Sequence, residues 1–210
     1  MRDTNASVAE RKVNHRGLAA LAASQDGLFT SQQSEHFGLT RQLLSHHART
    51  KRYERQARGL YSVPEIPASP FQSVVASWLQ VGSEAAVVSH ETALALHDLS
   101  DIIVDRIHIT IPRAMRSRKA PAGTVLRTRL ERYGEFEVQR RNFVPVTAPI
   151  VTILDCLESG TGFEQIEIAI SRAIERCWMT PFDLRSQSAK RGRRLIRTID
   201  QLLEHVEALQ

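Results

Sequence analysis

The segment 30-TSQQSEHFGLTRQLLSHHARTKRYERQARGLYS-62 decides the fold of the N-terminal part of the chain. Thr30 or Ser31 can cap a short helix running to Phe37, and Gly38 stands where a helix end needs a left-handed residue. Thr40 caps the next helix, predicted to run to about Thr50 with Leu44 and Ala48 facing inward at i, i+4 spacing. Tyr53–Ala57 and Leu60–Val63 then flank Arg58-Gly59 and read as two short strands around a tip. Upstream, Leu18, Leu21 and Ala22 share a face of a first helix from Arg16 to about Ser24, and Asp26-Gly27 ends it with a turn. Three short helices followed by a basic hairpin is the order of a winged helix-turn-helix. In that design the third helix enters the major groove and the hairpin lies along a phosphate strand.

Charge supports the same reading. The 210-residue chain carries a net +5, and the stretch 41–58 holds six basic residues against Glu54 alone. Arg41, Gln42, Ser45, His46 and Arg49 project from the third helix away from Leu44, and Lys51, Arg52, Arg55 and Arg58 continue through the turn and hairpin. Arginine pairs with guanine and glutamine with adenine in the major groove, while hairpin arginines suit phosphates. These nine residues are the expected DNA contacts, and the expected partner is duplex DNA.

Pro64, Pro67 and Pro70 make a stiff linker and an expected domain boundary. Beyond it, Phe71, Val74, Val75, Trp78 and Leu79 recur at helical spacing, predicting a helix over 70–81. Ala86–Ser89 reads as a buried strand leading into a helix from Glu91 to about His97, with Ser89 as its cap. Arg106–Ile111 alternates with period two and predicts a strand that Pro112 stops. Val125–Arg129 and Phe136–Arg140 are weaker strands. Helices are expected at 149–158, 163–176 and 193–209, with a short helical turn opened by Thr180-Pro181. The expected organisation is a flexible leader over 1–15, a winged helix-turn-helix over 16–66 and a mixed α/β domain over 70–210. The fold class is α+β.

Composition excludes several functions. Only two cysteines occur, Cys156 and Cys177, too far apart for a CxxC pair, and 42% hydrophobic residues fit a protein with an ordinary core. No apolar run approaches the ~18 residues of a membrane span, so a soluble cytoplasmic protein without membrane contact is expected. His90, Glu91 and His97 lack HExxH spacing, and the bland alternative for them is a role in packing. Glu135-Phe136-Glu137-Val138-Gln139 has glutamine where a nuclease of the PD-(D/E)xK type needs lysine. No paired carboxylates follow Gly82-Ser83, as a nucleotidyltransferase requires, and neither GxSxG nor a phosphate loop occurs. The expectation is a protein that is not an enzyme and needs no cofactor and no metal. Two further basic clusters, Arg113, Arg116, Arg118 and Lys119, and then Lys190, Arg191, Arg193, Arg194 and Arg197, are read as surfaces for a partner or nucleic acid.

Taken together, Gly27-Leu-Phe-Thr30, Gly38-Leu-Thr-Arg-Gln-Leu-Leu-Ser45 and Arg58-Gly-Leu-Tyr61 resemble the AbiEi antitoxin family of type IV toxin–antitoxin systems. Val88-Ser-His-Glu-Thr-Ala-Leu-Ala-Leu-His97, His108-Ile-Thr-Ile-Pro112 and Val146-Thr-Ala-Pro149 leading into Leu154-Asp155 extend the resemblance, which covers roughly residues 16–185. It implies an N-terminal winged helix that binds promoter DNA as an autorepressor, followed by an antitoxin domain. The implied partner is a nucleotidyltransferase-like toxin, counteracted without a stable complex. Two departures stand out: Lys51 occupies a turn position that usually holds glycine, and His47 replaces a commonly apolar residue. A stand-alone winged-helix regulator and a degenerate relative of an enzyme are the alternative readings.

Overall fold

The structure, a computed structural model, describes residues 13–208, and the chain divides between Gln72 and Ser73 into two compact units. Most of the leader expected over 1–15, and the last helix's expected end at Leu209, lie outside the described residues.

The first unit contains α1 (His15–Ala23), β1 (Leu28–Thr30), α2 (Ser31–His36), α3 (Arg41–Arg49), β2 (Glu54–Ala57) and β3 (Leu60–Ser62). Its sheet has the order β1-β3-β2, antiparallel throughout. The two wing strands fall within a residue of their expected bounds, but β1 was not foreseen. Leu18, Ala22, Phe29, Leu39, Leu44 and Tyr53 form the buried core under the helices. Thr30 closes a capping box with Gln33, and Gln33 also exchanges amide hydrogen bonds with the buried Gln25 of the turn after α1. The proline-rich stretch is bound back to this unit. Asp26 is buried and accepts from the Ser69 backbone N–H at 3.0 Å and its hydroxyl at 2.7 Å, while the Gln72 amide donates to the Asp26 carbonyl.

The second unit carries a mixed five-stranded sheet of order β6-β5-β4-β8-β7. Its strands are β4 (Val87–Val88), β5 (Ile107–Pro112), β6 (Thr124–Arg129), β7 (Val138–Arg141) and β8 (Val144–Thr147). The β4–β8 and β5–β6 pairs are parallel and the β4–β5 and β7–β8 pairs antiparallel. The helices are α4 (Gln72–Val81), α5 (His90–Leu96), α6 (Pro149–Ser159), α7 (Phe163–Glu175), α8 (Pro181–Ala189) and α9 (Arg193–Ala208). Leu94, Leu154, Ile170, Leu184, Ile199 and Leu203 join α5 to α9 in one apolar core.

Several expectations are corrected here. The strand anticipated over Phe136–Arg140 is a 3₁₀ turn, Glu135–Glu137, followed by β7, and its partner β8 was not foreseen. The Thr180-Pro181 turn opens a nine-residue helix rather than a single turn. Ser89 sits at the N-cap of α5 but caps nothing, because its hydroxyl is engaged by Thr110 and His90. His97 is a packing residue: its Nε2 lies 2.7 Å from the Thr147 carbonyl, and it ties the end of α5 to β8.

Candidate nucleic-acid interface

The geometry of α3 follows from its two ends. At the start, the Thr40 hydroxyl accepts from the Leu43 N–H, so the first turn, with Arg41 and Gln42, is held and pointed outward. At the end, the Arg52 N–H donates to the His47 carbonyl and the Lys51 N–H to the Ala48 carbonyl, the paired bonds of a Schellman motif. That motif needs a left-handed residue between helix and strand, and Lys51 supplies it with φ +58. The glycine-like position noted in the sequence is therefore real, and lysine fills it under strain.

His47, the second departure, is half-buried and packs edge-on against two rings. Its centroid lies 5.1 Å from that of His15 and 5.8 Å from that of Tyr53, whose hydroxyl is 2.8 Å from His15 Nδ1. An imidazole thus does the work of an apolar side chain. Burial and the nearby Arg52 charge both hold His47 and His15 below the usual histidine range, favouring neutral rings.

Arg41, Gln42, Ser45, His46 and Arg49 are all exposed on α3, opposite the buried Leu44. Arg41 makes a loose contact with Glu35 at 3.6 Å and is 88% exposed, so its guanidinium remains available. Leu43 is exposed on the same helix, an apolar tip among polar ones that sequence reasoning left out. Helical spacing could have found it, since Leu43 sits about 100° around the helix from Leu44. Lys51, Arg52, Arg55 and Arg58 are exposed along the turn and wing. A bulge between Arg55 and Ala57 re-aims the strand before the tip, where Gly59 takes φ +75. Gln56, inside that bulge, donates to the Ser62 hydroxyl at 2.8 Å. The nine residues proposed from sequence therefore lie on one continuous exposed run of α3, turn and wing.

The second unit's basic residues divide differently. Arg113 and Arg116, at a 3₁₀ turn after β5, and Lys119 are exposed, as are Arg193, Arg194 and Arg197 on α9. Arg118 does structural work, because its guanidinium donates to the Val81 carbonyl at 2.6 Å and closes the end of α4. Arg191 leaves the surface group altogether. Its Nη1 donates to Asp155 at 2.6 Å and Glu158 at 2.8 Å, and its side chain is only 19% exposed. Both carboxylates raise its pKa against the opposing effect of burial.

No curated protein sequence is significantly similar to the chain. The fold matches the crystal structure of the RV2827C protein from Mycobacterium tuberculosis with a TM-score of 0.56 at 14% identity, covering 94% of this chain and 79% of that one. Among the described residues, no helix is long and apolar enough to cross a membrane. Residues 18–64, which hold the core, α3 and wing described above, match the family described as "Transcriptional regulator, AbiEi antitoxin".

Proposed function

We propose that the protein is an antitoxin of a type IV system that represses its own promoter and counteracts a nucleotidyltransferase-like toxin. The observation that carries the reading is the exposed run of α3, Schellman turn and wing inside the AbiEi-matching segment. In this reading Arg41 and Gln42 contact base edges, Leu43 meets a thymine methyl, and Arg49, Lys51, Arg52, Arg55 and Arg58 hold phosphates. Ser45 and His46 supply tolerant polar contacts from the same helix.

Neutralisation is assigned to the second unit, through Arg113, Arg116, Lys119, Arg193, Arg194 and Arg197. Arg118 is better understood as the brace of this surface than as part of it.

Two measurements test the proposal. Binding of the full chain to its promoter duplex should weaken with salt, with a log–log slope near −4 to −5 if about five phosphates are contacted. A binding constant indifferent to salt would remove the DNA-binding half. Growth rescue of cells making the adjacent toxin should fail for the full-length R116E/K119E variant and persist for R41A. Equal rescue by both would remove the assignment of neutralisation to the second unit's basic surface.

A further inference from the structure

The hydrogen-bond phase of the second sheet fixes which backbone groups of β6 stay free. The Ile107 N–H donates to the Gly123 carbonyl, and the Ser89 N–H donates to the His108 carbonyl. With Ile107 beside Thr124 in parallel register, Ile107, Ile109 and Ile111 bond to β6, while His108 and Thr110 turn toward β4. On β6 the residues bonded to β5 are then Val125, Arg127 and Arg129. Leu126 and Thr128, between them, point their N–H and C=O groups away from the sheet, each offering one donor and one acceptor. Among the described residues no strand pairs with that margin, and Thr128 is exposed. Such a row of backbone groups is a template for one more strand.

Side chains alternate along the same strand. Arg127 stands beside Thr110 and Arg129 beside Pro112 on one face, and Leu126 and Thr128 stand beside Ile109 and Ile111 on the other. Arg129 is occupied by Glu137 and the Tyr133 ring, whereas Arg127 is exposed. The charge around the strand has one sign: residues 106–129 hold seven arginines and lysines and no carboxylate. Arg106 and Arg118 donate to carbonyl oxygens, which leaves their charges uncompensated. Among the described residues Arg113, Arg116, Lys119 and Arg127 form no ion pair, and the turn that carries Arg113 touches β6.

The opposite margin is a poorer template. Strand β7 has four residues, Arg140 donates to the Phe143 carbonyl, Arg141 lies over Trp178, and Glu135 and Glu137 lead into it. A nucleic acid on β6 would use the cations and leave the outward amides unmatched. An extended peptide uses both.

We propose that β6 docks an extended acidic segment of a partner protein, which joins the sheet as an added strand. Its carboxylates take alternate positions on the Arg127 side, and the residues between them lie beside Leu126 and Thr128. Opposite charges facing each other across a strand pair attract and like charges repel, so the margin rejects basic segments. This docking does not depend on a toxin being the partner: growth rescue tests that reading, and a peptide tests this one.

The test titrates the ¹⁵N-labelled full chain with a capped heptapeptide, TEVEVET, and with its basic counterpart, TKVKVKT. Saturable binding is expected for TEVEVET alone, with slower exchange of the Leu126 and Thr128 amides and no change at Ile109. R127E should weaken TEVEVET about tenfold. In an added strand the valine amides face one side and the glutamate amides the other, so N-methylating one set should abolish binding and N-methylating the other should leave it. That comparison needs no protein variant. An identical response to the two methylated sets, or unchanged exchange at Leu126 and Thr128, would overturn strand addition. TKVKVKT binding as tightly as TEVEVET, or R127E binding TEVEVET as well as the wild type, would overturn the preference for acidic segments. A thymidine decamer that binds through Arg127 while TEVEVET does not would give the surface to nucleic acid and end the proposal.

Discussion

Replacing Arg191 by methionine keeps most of the side chain's length and removes its charge. In the wild-type structure one guanidinium nitrogen serves both Asp155, itself buried, and the half-exposed Glu158. Without it, Asp155 retains only the Tyr133 hydroxyl, while Glu158 can turn to water. Breaking a buried ion pair from one side typically costs about 3–5 kcal/mol. The surviving Tyr133 bond and the exposure of Glu158 bring the expectation to about 2–3 kcal/mol. For a unit of this size that corresponds to a fall in melting temperature of roughly 6–10 °C. Both tryptophans, Trp78 and Trp178, lie in the second unit, so fluorescence-detected urea unfolding reports on it selectively. R193A/R194A, on the adjacent exposed turn of α9, should change stability by less than about 0.5 kcal/mol. Adding D155N to R191M should recover part of the loss, because the uncompensated buried charge is then gone. An R191M loss as small as that of R193A/R194A would refute the view of Arg191 as a buried strut.

Three further outcomes are expected. K51G should stabilise the first unit by about 0.5–1 kcal/mol, measured by amide exchange at Tyr53 and Tyr61, because glycine takes the left-handed turn without strain. The same variant should lose a phosphate contact, reducing the salt slope of DNA binding by about 1. R41A should cost about 1–3 kcal/mol on the cognate duplex and relax discrimination, whereas R58A should weaken cognate and random duplexes alike; identical behaviour in a competition assay would undo that division. His90 is neutral in the fold and held down to about 4, but in the unfolded chain it titrates near 6.5. Its stability contribution is therefore complete above pH 6.5 and should fall by about 3 kcal/mol as pH drops toward 4. H90Q should flatten part of this decline in pH-resolved urea unfolding, leaving the share from His97 and His108, which burial also pushes down.

The winged helix was readable because its signals are short-range. Thr30, Gly38 and Thr40 act within three or four residues of the bonds they make, and Arg58-Gly59 marks the wing tip unaided. Strand β1 escaped notice because Leu28–Thr30 is three residues long and pairs with residues 60–62, thirty or more positions away. Helix α8 was underestimated because it buries only Leu184 and Ser188, leaving no apolar period to detect. The charged residues misled for a related reason. Arg191 and Arg118 look like members of basic runs, but Asp155 and the Val81 carbonyl, which claim them, are distant in sequence. The same holds for His90, whose surroundings are assembled from α5, β5, α6 and the segment around Tyr133.

The order of the second sheet has a consequence for handling the protein in solution. It is open at both margins, β6 on one side and β7 on the other, and each margin could template a strand from a neighbouring molecule. Each also carries two arginines, Arg127 and Arg129 on β6 and Arg140 and Arg141 on β7. Like charges oppose the approach of one copy's margin to another's, so concentrated protein is shielded from sheet-to-sheet growth chiefly by repulsion. Shielding of that kind fades over a Debye length, about 8 Å at 0.15 M salt and 3 Å at 1 M. High-salt storage, chosen to release bound nucleic acid, is then the condition under which the preparation is most prone to form fibrous precipitate.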